Sequence, residues 1–488
     1  MKKAPSGILP VIAVNRGLPQ SLCNQIYDGY RKAILDGGLR AGQRLPSTRV
    51  LAVELGISRI PVLSAYEQLL AEGYLESRVG SGTVVSRSLP LREEWVAPAV
   101  TPSTRSRSRR KVSKRTLLST TRHGLYGDGA LGPFRFGQVA FEHFPLQIWN
   151  SLMTRQARRT RASSFKYGDH LGLGDLREAI AAHIRTARAV RCRADQIMIV
   201  GGSQLGLEIT TRALLDPGSR VWVEEPGYTL ARAVLEGHGC GIVPVPVDAE
   251  GLDVAAGMRK CHDACAALVT PSHQFPLGVT MSASRRLQLL DWAESSGSWI
   301  IEDDYDSEFR YEALPIASLQ GLDRNARVIY IGTFSKVLFP SLRLGYVVVP
   351  ADLIDRFLAV RFAMDVGSPT FLQAVLADFI REGHFSRHIR RMRAVYAERR
   401  DALVESVANE LGATVEIVGA QAGMHLAAIL KGVADREVAG RAGRQNLWLA
   451  PLSSFYAHKA ARRGFVLGFG STSVEDIPAA VRRLRTCL

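Results

Sequence analysis

The chain has 488 residues, more than one hydrophobic core usually supports, so we expect two or three domains. Its residues are 46% hydrophobic and 22% charged, which is the composition of a globular protein and excludes a chain that is disordered throughout. The apolar runs fall short of the roughly eighteen residues that a membrane span needs. We therefore expect no membrane contact and a location in the cytoplasm.

The net charge of +16 is concentrated in the first quarter of the chain. Residues 1–90 contain 11 Lys and Arg against 6 Asp and Glu, and residues 91–122 contain 9 against 2. This quarter therefore carries 12 of the 16 net positive charges, the surplus 5 plus 7. Such a distribution favours a partner rich in phosphate, although a basic surface can also serve only to keep a protein soluble.

The six cysteines are scattered and do not suggest a disulfide framework. Residues 261–265 (CHDAC) have the spacing of half a metal clip, but no second pair of ligands follows nearby. We expect no metal site.

Three short helices and a hairpin are predicted at the N-terminal end. Apolar residues at helical spacing run from Leu22 to about Leu35, and a second helix fits Thr48 to Leu55 with Ser47 as its N-cap. A third helix follows residues 56–58 (GIS), a turn of the length found in helix-turn-helix motifs. Residues 74–78 and 83–85 then read as two strands joined through glycines, which form a wing.

Side chains at the starts of the second and third helices are placed to reach DNA. Arg49 and Arg59 each combine a guanidinium fork with the amides of a helix N-terminus, a pairing that suits phosphates and base edges. Glycines in the wing allow close approach to a groove. The candidate DNA-binding residues are Ser47, Arg49, Ser58, Arg59, Gly80 and Gly82.

These N-terminal residues resemble the GntR-type winged helix. The resemblance rests on residues 43–52 (QRLPSTRVLA), 55–59 (LGISR), 65–75 (AYEQLLAEGYL) and 80–83 (GSGT). It implies an α+β winged helix-turn-helix domain over residues 15–87 that binds double-stranded operator DNA. The sequence departs from the family at Ile60 and Pro61, where a polar residue followed by Thr or Asn is more usual, so the base preference stays open.

Residues 88–124 are predicted to be a flexible basic linker. Three prolines precede residues 103–111 (STRSRSRRK), which have no apolar periodicity. A basic run of this kind is either simply solvated or makes nonspecific contacts with phosphate.

The remaining residues, 125–488, are predicted to form an α/β domain. Apolar runs at Ile197–Val200, 221–223, 267–269, 299–301, 328–331 and 346–349 alternate with helical stretches. This alternation predicts a largely parallel sheet with helices on both faces.

A lysine follows one of these strands in a setting that suits Schiff-base chemistry. Residues 329–336 (IYIGTFSK) place Lys336 beside two hydroxyls, and Arg343 follows seven residues later as a phosphate ligand. Asp303 and Tyr305 come at the carboxyl end of another strand, where an acid can hold a pyridine nitrogen protonated.

Two further clusters fit the same kind of site. Residues 201–204 (GGSQ) lie between a strand and a helix, so their amides and the Ser203 hydroxyl can hold a phosphate. Tyr228 offers a ring that can stack on an aromatic cofactor. Taken singly, each of these signals is weak.

Together, in this order, they resemble the fold-type I enzymes of the aspartate aminotransferase class. Residues 270–278 (TPSHQFPLG) and 302–311 (EDDYDSEFRY) resemble more closely the MocR/GabR branch of GntR regulators, which joins the two modules. The resemblance implies pyridoxal 5′-phosphate, with Lys336 as the aldimine lysine and Tyr167 lent across a homodimer interface. It implies that the cofactor-binding residues are Lys336, Asp303, Tyr305, Tyr228, Ser203, Gln204, His273, Thr333, Ser335, Arg343 and Tyr167.

One position departs from the amino-acid-processing members of this fold. They usually carry an Arg near the C-terminus that grips the substrate carboxylate, and Val466 stands there in this chain. Either the carboxylate is held in a different way, for example by Arg462 or Arg463, or the effector is not an ordinary amino acid.

We therefore predict a transcriptional regulator that senses an amine, an amino acid or a vitamer of the coenzyme through Lys336. It is then no physiological enzyme, although imine exchange or half a transamination remains open. The alternative is a true aminotransferase with an accessory DNA-binding domain. A DNA-binding protein with a dead cofactor fold conflicts with the near-complete set of residues around Lys336.

Overall fold

A computed structural model describes residues 12, 14–78, 82–87, 132–311 and 316–488. The chain divides into two compact units between Arg110 and Lys111. The predicted linker, residues 88–124, lies outside the described residues.

The N-terminal unit contains three helices and one hairpin. Each helix begins after a serine, and the Oγ of Ser21 and of Ser47 accepts a hydrogen bond from the first turn of α1 and of α2. The two strands pair antiparallel, with Leu75 opposite Val85. The elements are α1 (Leu22–Leu35), α2 (Thr48–Glu54), α3 (Arg59–Ala71), β1 (Leu75–Arg78) and β2 (Gly82–Val85).

A small apolar core holds this unit together. The inner face of α1 buries Ile26, Tyr30 and Ile34 against residues of α3 such as Tyr66. The rings of Tyr30 and Tyr66 meet edge to face with centroids 5.6 Å apart. This core fixes α2 and α3 in the helix-turn-helix arrangement predicted from the sequence.

The C-terminal unit is built on an eight-stranded mixed sheet. Its strands are nearly continuous apolar runs, because both faces of the sheet are buried. They run in the order β3-β10-β9-β8-β7-β4-β5-β6. The strands are β3 (Ile197–Val200), β4 (Arg220–Glu225), β5 (Gly241–Asp248), β6 (Gly251–Leu252), β7 (Ala266–Val269), β8 (Trp299–Asp304), β9 (Val328–Thr333) and β10 (Gly345–Val348).

The sheet is parallel through its centre and antiparallel towards its edges. Strands β5, β4, β7, β8 and β9 are parallel to one another, whereas β10 is antiparallel to both of its neighbours. The parallel arrangement brings the carboxyl ends of β8 and β9 side by side. The predicted strands are thus present, and the sheet is mixed rather than wholly parallel.

A second, four-stranded antiparallel sheet lies nearer the C-terminus, with strand order β11-β12-β14-β13. Its fully buried strands β12 and β14 pair with Ala427 opposite Val466. These strands are β11 (Val415–Val418), β12 (His425–Leu430), β13 (Ala450–Pro451) and β14 (Gly464–Gly468).

Helices surround both sheets. The longest, α13, packs against the C-terminal helix α15. The helices are α4 (Leu146–Arg159), α5 (Gly174–Arg188), α6 (Ser203–Leu214), α7 (Thr229–His238), α8 (Val254–Lys260), α9 (Ala283–Ser296), α10 (Leu319–Leu322), α11 (Ile354–Met364), α12 (Thr370–Arg381), α13 (His384–Leu411), α14 (Asp435–Arg444) and α15 (Asp476–Cys487). Within the described part of the chain, none of the helices has the length and apolarity needed to cross a membrane.

Candidate functional site

A cavity of about 210 Å³ opens at the carboxyl ends of β8 and β9. Strand β8 contributes Asp303, the turn after β9 contributes Lys336, and the first turn of α6 contributes Ser203. The position agrees with the general rule that open α/β sheets bind ligands beyond the carboxyl ends of their strands. Its lining also includes Phe136, Gly137, Gln204, Tyr228, Leu230, Thr270, Phe275, Tyr305, Asp306, Thr333, Ser335, Pro340, Arg343, Met424 and His425.

Lys336 presents a nucleophilic amine to this cavity. Its Nζ donates a hydrogen bond of 2.9 Å to the carbonyl of Gly137. A Cβ at position 137 would lie only 2.6 Å from Nζ, so glycine leaves room for the amine. Burial lowers the pKa of Lys336, and Arg343 lowers it further, while nearby carboxylates oppose the shift. The amine is therefore easier to deprotonate than a surface lysine.

Asp303 lies across the same cavity. Burial raises the pKa of its carboxyl group to about 7, and the neighbouring Asp304 contributes to the shift. Its Oδ1 is buried and finds no hydrogen-bond partner among the described residues. A buried polar atom without a partner is costly, so this oxygen is placed for a donor from a ligand.

Hydroxyls, a helix N-terminus and a guanidinium converge at one end of the cavity. Arg343 donates through Nη2 to the carbonyl of Gly201 over 2.8 Å. Gly202, with a φ of +99°, caps α6, and a Cβ there would lie 3.0 Å from the Arg343 guanidinium. Ser335 Oγ and Gln204 Oε1 are buried without partners among the described residues. This combination suits a phosphate group.

A buried hydrogen-bond network around Glu224, which the sequence did not predict, includes Thr270 of the cavity lining. The Glu224 carboxylate accepts hydrogen bonds from Thr270 Oγ1 at 2.6 Å and from Gln274 Nε2 at 3.1 Å. Burial raises the pKa of Glu224 to about 7. Glu224 lies within the sequence run EE at the end of β4, but nothing in that run indicates its partners, which follow the end of β7.

His273 is not among the described residues that line the cavity. It lies behind the cavity wall, where Nδ1 is 3.1 Å from Asp306 Oδ1, and the Tyr305 hydroxyl donates to its carbonyl over 2.8 Å. His425, which the sequence analysis did not select, lines the cavity and packs on His273 with ring centroids 4.7 Å apart. The expected place of His273 beside the cofactor ring stays a prediction.

Potential metal ligands also meet at this wall. Among the described residues, ligand atoms of His273, Asp306 and His425 lie within 4.8 Å of one another. His273 Nδ1 already lies 3.1 Å from each of the two carboxylate oxygens of Asp306, which is hydrogen-bond distance.

Tyr167, another predicted cofactor residue, is also not among the described residues that line the cavity. It is 87% exposed and borders a surface cleft together with Phe165 and Phe371. Its expected role across a dimer interface stays a prediction.

In the N-terminal unit, Arg49 and Arg59 are exposed in the first turns of α2 and α3. Arg59 Nε donates to Thr48 Oγ1 over 3.1 Å, which links the two helices. Ser47 caps α2 through a 3.4 Å bond from the amide of Val50, whereas Ser58 makes no such bond to α3. Gly82 begins β2 with a φ of +80°, and Gly80 lies outside the described residues.

Comparison with known proteins identifies both units. Residues 22–85 match the family described as bacterial regulatory proteins, gntR family, and residues 139–469 match aminotransferase class I and II. The probable rhizopine catabolism regulatory protein MocR of Rhizobium meliloti is 38% identical over 483 residues, which cover 98% of this chain and 95% of that protein. The chain belongs to the MocR-type branch of GntR regulators. The family predicted from the sequence is thereby confirmed.

Other relatives show how far the likeness extends. The pyridoxine biosynthesis regulator PdxR of Corynebacterium glutamicum is 31% identical and covers 94% of each chain. The crystal structure of a multiple substrate aminotransferase from Thermococcus profundus superposes with a TM-score of 0.71, is 28% identical, and covers 77% of this chain and 96% of its own. The predicted fold class, a winged helix followed by a fold-type I domain, is confirmed for this MocR-type regulator.

Proposed function

We propose that this MocR-type regulator binds pyridoxal 5′-phosphate through Lys336 and operator DNA through α2 and α3, and that a small amine bound at the coenzyme changes its affinity for DNA. One observation carries the proposal. A lysine with a lowered pKa shares one cavity with three buried polar atoms that have no partner among the described residues, on Asp303, Gln204 and Ser335.

The residues present fit this coenzyme. Arg343, Ser203 and Ser335 suit its phosphate, Asp303 suits the protonated ring nitrogen, and Tyr228 offers a ring for stacking. When bound, the coenzyme supplies an aldehyde that condenses with primary amines. A cationic ring nitrogen beside Asp303 would hold that carboxyl group ionised and relieve the cost of its burial.

The protein's own groups would prepare the amine and exclude water. The carbonyl of Gly137 accepts a hydrogen bond from Lys336 and so orients its Nζ in the cavity. The phenol of Tyr305 is fixed by its bond to His273, so its ring forms a rigid part of the wall. Phe136 and Phe275, whose centroids are 5.5 Å apart, add an apolar surface.

A true aminotransferase is the second candidate, and the likeness to the Thermococcus profundus enzyme favours it. The regulator is preferred because the match to MocR extends over both units, including the winged helix. The relatives' names, one for rhizopine catabolism and one for pyridoxine biosynthesis, support both a metabolite amine and a vitamer as the signal.

We also propose that the working form is a homodimer in which Tyr167 reaches the cavity of the second copy. The exposed Phe165 and Tyr167 beside the surface cleft support this arrangement. Sedimentation of the purified protein should give twice the mass of one chain, and a monomer would contradict the proposal.

The visible absorption spectrum tests the coenzyme site. Wild-type protein mixed with pyridoxal phosphate should develop the band of a protein imine, and Lys336→Ala should lose it because the primary amine is gone. Lys260→Ala, at an exposed lysine that ends α8, is the matched control and should keep the band. Equal bands in wild type and Lys336→Ala would contradict covalent attachment.

A further inference from the structure

Only two cations border the cavity among its described lining residues, Lys336 and Arg343. The proposed function, on which this inference rests, assigns Lys336 to the coenzyme's aldehyde and Arg343 to its phosphate. No described lining residue then remains to neutralise a carboxylate on the effector.

The rest of the lining carries no positive charge and is apolar, acidic, or neutral and polar, the last group including Thr270 and Tyr305. Phe136, Leu230, Phe275 and Met424 supply apolar surface, and Asp303 and Asp306 supply carboxyl groups. His425 does not offer a positive charge, because burial and the neighbouring His273 hold its pKa well below the usual 6.5. A bound carboxylate would therefore meet apolar carbon, neutral polar groups, a neutral imidazole and the carboxyl group of Asp306, but no cation.

The residue at position 466 also supplies no positive charge to the cavity, because it belongs to the apolar core. Val466 is fully buried in β14 and packs in an apolar cluster with Phe275, Phe455 and Ala427. Partly buried Phe136, Tyr228 and Tyr305 pack against the same cluster and also line the cavity. The layer behind this wall thus presents a valine where amino-acid-processing relatives present a guanidinium.

The neighbouring arginines do not replace the missing cation. Arg462 and Arg463 are exposed beyond the cavity, and Arg463 Nη1 donates to the carbonyl of Val433 over 3.4 Å. Neither of them is among the described residues that line the cavity. Of the two alternatives that the sequence left open, a carboxylate held in another way and an effector that is not an ordinary amino acid, the second is therefore favoured.

We propose that the effector is a primary amine without a carboxylate, whose body is uncharged and carries apolar or hydroxyl groups. Its amine replaces the Lys336 amine on the coenzyme's carbonyl carbon, so that one carbon–nitrogen double bond forms as another breaks and the lysine amine is released. Its body lies against Phe136, Phe275 and Met424. A carboxylate in that place would lose its hydration without gaining a cationic partner, which is unfavourable. Specificity against amino acids then arises from the absence of a partner rather than from a clash.

Matched pairs of ligands that differ only in the carboxylate test this inference. The probes are 2-phenylethylamine with L-phenylalanine, isoamylamine with L-leucine, and ethanolamine with L-serine, together with the neutral amide of L-phenylalanine. The readout is the change in visible absorbance of the coenzyme-loaded protein, from which each half-saturating concentration is obtained. The same titration of free pyridoxal phosphate corrects for the different intrinsic reactivity of each amine.

After this correction, each amine and the amide should half-saturate the protein at a concentration at least about tenfold lower than the matching acid. Equal or tighter binding of the acids overturns the inference while leaving the proposed function intact. If the coenzyme-loaded protein responds to the amino acids and not to the matching amines, the inference is likewise overturned and the proposed function stands. A protein that takes up no coenzyme at all overturns the proposed function, and this inference falls with it.

Discussion

Asp303 links burial, protonation and stability at the level of one residue. Its pKa rises from the usual 3.8 to about 7 in the coenzyme-free fold, so the folded chain holds a proton that the unfolded chain has already released. The resulting loss of stability begins near pH 4, grows as the pH rises, and levels off above about pH 7.

Asp303→Asn should therefore stabilise the coenzyme-free protein, with a gain on the order of 1 kcal/mol for each pH unit between about 4 and 7. Thermal unfolding at several pH values measures the gain. Asp195→Asn is the control, because Asp195 is exposed and Arg193 lowers its pKa. A gain that does not depend on pH would show that Asp303 is ionised throughout.

Arg188 and Asp304 form a buried ion pair, and breaking it should have a large effect on stability. Arg188 Nε lies 2.9 Å from Asp304 Oδ2, and both side chains are 2% exposed. Arg188→Met would leave a buried carboxylate whose remaining bond is the 2.6 Å contact from the Tyr330 hydroxyl. We expect a loss of about 3–5 kcal/mol in the free energy of unfolding, measured with denaturant.

The matched control is Arg193→Met. Arg193 and Asp195 are 3.0 Å apart but 68% and 61% exposed, so this change should leave the free energy of unfolding nearly unchanged. Similar losses for the two variants would mean that burial does not set the strength of these pairs.

At the scale of elements, the two helices of the helix-turn-helix differ in their caps. The Ser47 hydroxyl caps α2, whereas the Ser58 hydroxyl makes no cap bond to α3. Ser47→Ala should cost about 0.5–2 kcal/mol of stability, and Ser58→Ala should cost close to none. Denaturant unfolding of the full chain, followed by helix signal, distinguishes the two. Equal losses would contradict the assigned caps.

The start of α3 makes a separate prediction about DNA. Arg59 is exposed there and is held towards α2 by its bond to Thr48. Arg59→Ala should weaken operator binding by about 1–3 kcal/mol if the side chain reads a guanine, and Arg49→Ala should also weaken it. Arg193→Ala, in the other unit, is the control at matched salt. Unchanged affinity in both helix variants would remove this face from the DNA interface.

The sequence predicted elements better than it predicted their pairing. Apolar runs located the main strands, but nothing in them indicated that β10 runs antiparallel or that β12 and β14 form a second sheet. Site residues carried by short motifs, such as Lys336 and Asp303, were identifiable. His425 lies in an apolar strand without a motif, and Gly137 meets Lys336 across 199 positions of chain, so both depend on tertiary contacts that local patterns do not encode.

At the scale of the whole molecule, the proposed function requires the coenzyme cavity and the winged helix to share a coupling free energy. Such coupling is reciprocal: if a saturating amine changes operator affinity by some factor, operator DNA changes the affinity for that amine by the same factor. We expect a factor of about 5–150, which corresponds to about 1–3 kcal/mol.

Two titrations measure this factor independently. Operator affinity is determined by fluorescence anisotropy with and without the amine. The amine concentration for half-saturation is determined from absorbance with and without operator DNA. Both titrations use one salt concentration, because phosphate contacts make DNA affinity depend on salt. Lys336→Ala should bind operator DNA but show no response to the amine, because it lacks the group that anchors the coenzyme. If an amine changes the absorbance but leaves operator affinity unchanged, and operator DNA leaves the affinity for the amine unchanged, the two units have no coupling free energy. The chain would then be a coenzyme-binding protein whose DNA-binding unit acts independently.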